Sequence, residues 1–161
     1  MILKTAGAVL LFAVTLYISL QYTVMERRRL LQAEGFLLLL RHIRTQIACF
    51  SDPLPEIYAS FENRALSDAG FLTAVREEGM AAALSTCRDR LYLTEEETRS
   101  LSVFAEELGK SYRSEQISLC DSYIAEWERG YDDGKKEMPR RARLGRSLLL
   151  TGGLMAVIVL L

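Results

Sequence analysis

The side chains able to do chemistry are few and scattered. One histidine, His42, stands among arginines on a helical stretch, and no second His or Cys lies at metal-ligand spacing from it. Carboxylates come in short runs: Glu95 to Glu97, Glu106-Glu107 and Asp132-Asp133. Such runs could supply an acid–base pair, but helix-dipole partners and solvated faces explain them more simply. Cys49, Cys87 and Cys120 are far apart in sequence. They are expected as free thiols, small residues of a core rather than redox or metal groups. There is no G-x-x-x-x-G-K-[ST] phosphate loop and no G-x-S-x-G nucleophile elbow. No basic patch interleaved with aromatics speaks for nucleic acid. The sequence therefore predicts no catalysis, no cofactor and no metal, and attention passes to the elements themselves.

Both ends read as membrane spans. Residues 5–25 carry no charge and are followed at once by Glu26, Arg27, Arg28 and Arg29. That stretch is long enough for a hydrocarbon core of about 30 Å. Residues 147–161 are also uncharged, and Arg140, Arg141, Arg143 and Arg146 precede them. At 1.5 Å per residue they reach roughly 22 Å, so a full crossing needs 144–146 to contribute and Arg146 to snorkel; the alternative is a helix dipping into one leaflet. The arginines follow the first apolar run, whereas a signal peptide carries its positive charge before it, so an uncleaved anchor is expected. By the positive-inside rule both arginine clusters stay in the cytoplasm, which puts the termini outside and the middle inside. The expected division is an N-terminal transmembrane anchor over 1–25, a cytoplasmic helical bundle over 26–143 and a C-terminal transmembrane segment over 144–161. Gly152, Gly153 and Ala156 give the second span a small-residue surface for another helix.

The 161 residues carry 20 Lys and Arg against 21 Asp and Glu, a formal net charge of −1. The bases crowd toward the membrane flanks and the acids toward the middle, which is membrane-surface patterning. The middle, about 120 residues, is enough for one modest core. With three prolines and no hairpin dipeptide between alternating strands, it reads as all-α. Phe36, Leu40, Ile43, Ile47 and Phe50 form one heptad-like stripe on a helix that continues out of the first span. That helix stops near Asp52, which is placed to cap the next, with Pro53 in its first position. Further helices are expected over 53–63, 67–78 and 80–91, the last two split near Gly79. Thr94-Glu95-Glu96-Glu97 is a capping box, and the helix it opens presents Leu101, Phe104 and Leu108 before Gly109 stops it. A last helix starts near 111–114, with Ile117, Cys120, Ile124, Trp127 and Tyr131 as a second stripe. The two stripes are expected to pack on each other. Gly130, Gly134 and Pro139 should loosen or kink the chain before the second span.

The order of these features resembles the stage III sporulation protein AB family over essentially the whole chain. The family opens with an apolar anchor followed by arginines. It continues with a helix ending in an E-I-x-Y-x-x-T-P-L-P-E-like turn, which here reads Gln46-Ile47-Ala48-Cys49-Phe50-Ser51-Asp52-Pro53-Leu54-Pro55-Glu56. An L-G-x-x-D-x-x-x-Q-like stretch follows, here from Leu108-Gly109 to Gln116, and a basic apolar span closes it. Gln46 stands where the family has Glu, and Tyr112 where it has Asp, so a special role of those two acids in the family does not carry over to these positions. The resemblance implies a part of the channel between mother cell and forespore, with a helical domain similar to type II secretion F-type platform proteins. It implies a secretion-type ATPase and other stage III channel proteins as partners, and a place in the mother-cell-derived outer forespore membrane. A homo-oligomer is compatible with it. The turn of Pro53, Leu54, Pro55 and Glu56, with Leu108, Gly109 and Gln116 at the second turn, is the candidate partner surface; the plainer reading is that both make sharp corners. Two competing readings share the chain: a membrane-anchored adaptor or sensor with an unrelated partner, and a small membrane enzyme using the carboxylates.

Overall fold

A computed structural model describes the backbone of residues 2–50 and 52–160, and the side chains of 24–50 and 52–137 together with Val14 and Tyr17. Every described element is helical: α1 (Ile2–Cys49), α2 (Leu54–Ser60), α3 (Arg64–Asp68), α4 (Phe71–Glu78), α5 (Met80–Thr86), a 3-10 turn (Arg88–Arg90), α6 (Glu95–Glu107) and α7 (Arg113–Leu160). The fold class is all-α. The chain divides into two compact units, one of Met1–Arg27 with Asp133–Leu161, the other of Arg28–Asp132. Among the described residues no helix is long and apolar enough to cross a membrane. The two expected spans, 5–25 and 144–161, lie almost wholly outside the residues whose side chains are described, as do Arg140, Arg141, Arg143 and Arg146.

The Arg28–Asp132 unit is built on α1. Phe36, Leu40, Ile43 and Ile47 are buried as their spacing predicts. Phe36 is the central wedge: its ring lies 4.9 Å from that of Phe71 on α4 and 5.7 Å from that of Trp127 on α7. Because helices pack on more than one side of α1, Leu37 and Leu39 are buried as well. The two stripes do meet. Cys120 and Trp127 are buried, Ile117, Ile124 and Tyr131 pack at the core's edge, and Arg41 and Arg44 on α1 pair with Glu128 and Asp121 on α7. Phe104 of α6 closes the core against Tyr123, ring to ring at 5.1 Å.

Several expected boundaries are corrected. Phe50 does not belong to the stripe: α1 ends at Cys49, and Phe50 is 67% exposed. Asp52 caps nothing; Pro53 itself holds the N-cap position of α2 with extended backbone, and the first turn uses Pro55. Helix α2 ends at Ser60 rather than 63, because Asn63 turns extended and caps α3, its side chain accepting from the Leu66 amide at 3.2 Å. The helix expected over 67–78 is two helices. Gly70, at φ +77°, takes the left-handed conformation between them. The helix expected over 80–91 ends at Thr86 and gives way to the 3-10 turn. The break at Gly79 stands. The capping box at Thr94 forms in full: the Glu97 amide donates to Thr94 Oγ1 at 3.1 Å, and the Thr94 amide to Glu97 Oε2 at 2.6 Å. Gly130, Gly134 and Pro139 do not break α7, whose helical backbone runs through all three.

Candidate functional site

The two turns singled out by sequence are neighbours. Pro53, Leu54, Pro55 and Glu56 open α2; Leu108 and Gly109 close α6; Gln116 stands in the first turn of α7. A Cβ built on Gly109 would lie 3.2 Å from Leu54 Cδ1, so the corners touch. Gly109 has φ +86°, the left-handed position that ends a helix, and the Leu108 amide donates to the Phe104 carbonyl at 2.9 Å. Arg113 draws the third segment in: its guanidinium donates to the Ala48 carbonyl at the C-terminus of α1. One end of the unit thus gathers the end of α1, the start of α2, the end of α6 and the start of α7.

The seven residues divide by what they touch. Leu108 is buried, and Leu54 packs on the core's edge. They hold the corner together. Gln116 donates from Nε2 to the Ser111 carbonyl at 2.7 Å and closes the loop between α6 and α7. Pro53, Pro55, Glu56 and Gly109 are exposed and are the members a partner can reach. Sequence reasoning missed Phe50 and Tyr112, which stand 67% and 83% exposed at this same end. The period of the core stripe extends to Phe50, and the signal against its belonging there is the nearby Ser51-Asp52-Pro53 stop.

The residues weighed for chemistry do structural work. His42 Nε2 lies 3.0 Å from Ser60 Oγ and 3.3 Å from the Ile57 carbonyl, with its ring 5.3 Å from that of Phe61, so it ties α1 to α2. Arg76 likewise serves the end of α2, donating to the carbonyls of Tyr58, Ala59 and Phe61 at 3.3, 3.4 and 2.9 Å. Glu97 is occupied by the capping box and by Arg29, 3.3 Å away. The Asp121 carboxylate, through its hydrogen bond and then its charge, raises the pKa of the Arg44 guanidinium. Cys87 and Cys120 are buried free thiols, and burial pushes Cys120 up to about 11; Cys49, expected in the core, is exposed. Among the described residues no group of three His, Cys, Asp or Glu is placed to hold a metal ion.

A cleft of about 500 Å³ opens at the other end of the unit, near the entry of α1. Arg28 and Arg90 line it, but so do Asp68 and Asp89, with Gln32 and Tyr92 beside them. Its charges cancel, and Gln32 is spent on backbone groups of its own wall. Of the membrane-flanking arginines described, Arg29 pairs with Glu97 and Arg27 is exposed.

No curated protein and no solved structure matches the chain. A sequence model of one family does, over residues 4–161, and its description, stage III sporulation protein AB, ties the chain to stage III of sporulation. With that match across nearly its full length, the chain belongs to the stage III sporulation protein AB family.

Proposed function

We propose that this chain is a non-catalytic membrane platform component of the channel complex between mother cell and forespore, coupling a secretion-type ATPase to membrane parts. The family match over residues 4–161 carries the reading. The architecture supports it. Helix α1 runs unbroken from the apolar N-terminal segment into the core stripe, and α7 runs unbroken from the second stripe into the C-terminal segment. Each is 48 residues long, about 72 Å at 1.5 Å per residue, enough for a crossing of about 30 Å and for the stripe that packs in the Arg28–Asp132 unit. A helical bundle held to a bilayer at two points has limited freedom to tilt. That suits a part that holds an ATPase at a set distance and angle.

In this reading the two apolar segments anchor the chain in the mother-cell-derived outer forespore membrane. The arginines Arg27, Arg28, Arg29, Arg140, Arg141, Arg143 and Arg146 keep the bundle in the mother-cell cytoplasm. The ATPase or another stage III channel protein meets the joined corners, through Pro53, Pro55 and Glu56 on one side and Gly109 on the other. The test is co-purification of the tagged full chain, in mild detergent, from sporulating cells. The secretion-type ATPase is expected in the eluate, and Glu56→Lys should deplete it. Recovery of an unrelated signalling protein with no ATPase would replace the platform by a membrane-anchored adaptor.

A further inference from the structure

Large apolar side chains at a surface need no explanation singly; two aromatics at one corner do. Phe50 and Tyr112 are 67% and 83% exposed. They come from opposite ends of the unit's sequence and are brought to one corner by Arg113, next to Tyr112, whose guanidinium holds the carbonyl of Ala48, two residues before Phe50. Pro53 and Pro55, both exposed, add rigid apolar surface beside them. Neither aromatic belongs to the core, in which Ile47, Leu108 and Cys120 are buried.

The charge around this corner selects what can cover it. Over 48–56 and 106–116 the chain carries five carboxylates, Asp52, Glu56, Glu106, Glu107 and Glu115, against two cations, Lys110 and Arg113. Farther along the unit some acids are matched, Glu97 by Arg29, Asp121 by Arg44 and Glu128 by Arg41, while others, Glu77 and Glu78 among them, have no salt bridge among the described residues. At the corner no carboxylate has a salt bridge among the described residues, and the exposed Arg113 donates to a backbone carbonyl. Like charge bars an anionic lipid surface and nucleic acid. It also opposes a symmetric pairing of two copies, which would set the same acidic patch against itself.

We infer that this corner docks a cationic segment of another protein that carries apolar anchor residues, the anchors seating on Phe50 and Tyr112 and the cations facing Glu56 and Glu115. The inference deepens the partner-surface reading and rests on it, since it names the chemistry of the segment that the corners receive. Aromatic anchors supply the binding energy, and the surrounding charge supplies the choice of partner and the rate of encounter.

The experiment uses the full chain in detergent micelles and two fluorescent synthetic peptides. One alternates Lys with Leu and Phe; the other has Glu in place of each Lys. Binding is read by anisotropy for the native chain, the pair Phe50→Ser with Tyr112→Ser, the pair Glu56→Lys with Glu115→Lys, and a control pair on α4, Glu77→Lys with Glu78→Lys. All these residues are exposed, and circular dichroism melts verify that each variant folds. Partition into the micelle is common to all variants and cancels. The cationic peptide should bind, each corner pair should weaken it by about tenfold or more, and the control pair should leave it within about twofold. The inference falls if the corner pairs bind like the native chain, if the anionic peptide binds equally well, or if neither peptide binds. It also falls if sedimentation shows the chain associating with itself in a way that the corner variants abolish, because the occupant is then a second copy. Co-purification of the ATPase is a separate readout and can succeed where this one fails.

Discussion

Gln32 is the buried polar residue among those described, 6% exposed, and both ends of its amide are bonded. Nε2 donates to the Arg90 carbonyl at 3.1 Å, and Oε1 accepts from the Tyr92 amide at 2.7 Å. It fastens α1 to the strap that follows the 3-10 turn. Gln32→Leu would strand a carbonyl and an amide at the wall of the core, and a buried unpaired group costs about 1–3 kcal/mol. The urea midpoint should fall accordingly with an unchanged slope; an unchanged midpoint would mean that water serves both groups as well. Nothing near Gln32 in sequence announces this, since its partners lie 58 and 60 residues away. Tyr58 is legible only by its apolar spacing, yet its burial has a consequence in pH. Desolvation pushes its phenol up to about 12 from an ordinary value of 10.0. The folded state then holds a proton that the unfolded state releases, so this contribution is complete below about pH 10 and is lost as pH rises toward about 12. A two-unit shift corresponds to about 2–3 kcal/mol at most. Buried Cys120, pushed up to about 11 from 9.0, acts in the same direction from about pH 9. Stability measured by urea from pH 8 to 11.5 should fall, and should fall less steeply in Tyr58→Phe; parallel curves would remove Tyr58 from the account.

At the scale of elements, local signals were readable and contacts between distant segments were not. The capping box at Thr94 and the stop at Gly109 are set by neighbours within four residues, so spacing alone places them. The core face of α1 was readable for the same reason, as far as Ile47. Phe50 continued the period but not the helix, and a period carries no information about where the backbone turns away. The break between α3 and α4 was missed because Gly70 stands in a run, 67–78, that is otherwise a good helix; the left-handed residue and the Asn63 cap decide it. The candidate corner was half legible. Its two motifs could be found one by one, but the contact of Leu54 with Gly109 belongs to the fold. Gly35 shows the same limit. An alanine there would suit an isolated helix better by about 1 kcal/mol. Here its Cβ would stand 2.8 Å from Asn63 Oδ1 and 3.0 Å from Leu66 Cγ. Asn63 cannot simply swing aside, because it caps α3. Gly35→Ala should therefore lower the melting temperature despite its better propensity, and Gly35→Ala with Asn63→Gly should lose less than the two single losses combined. A higher melting temperature for Gly35→Ala would show that α3 retreats at little cost.

At the scale of the whole molecule, the proposed arrangement of the chain about a membrane rests on hydropathy and flanking charge, and the fold supplies a probe for it. Both arginine clusters lie on the inner side of their apolar segments, so one orientation satisfies both. Reversal would place seven arginines on the wrong side, which makes a mixed population of orientations unfavourable. Of the three thiols, Cys87 and Cys120 are buried, and Cys49 is exposed at the end of α1. A membrane-impermeant maleimide therefore reads the side on which the Arg28–Asp132 unit lies through one residue. In intact cells that express the chain before any forespore has formed, so that the plasma membrane holds it, the chain should stay unlabelled. After gentle permeabilisation it should take up a single label, and Cys49→Ser should abolish it. Labelling in intact cells would put the bundle outside and reverse both segments. Carbonate-washed membranes serve the anchorage itself: the chain should stay in the pellet, and release into the supernatant would mean that the apolar ends do not span. Deleting 144–161 separates the contributions of the two ends. If the first segment anchors alone, the truncated chain stays in the pellet with the same protected Cys49. The second segment then serves to fix the tilt of α7, as the platform reading requires, and its loss should weaken ATPase co-purification while membrane attachment persists.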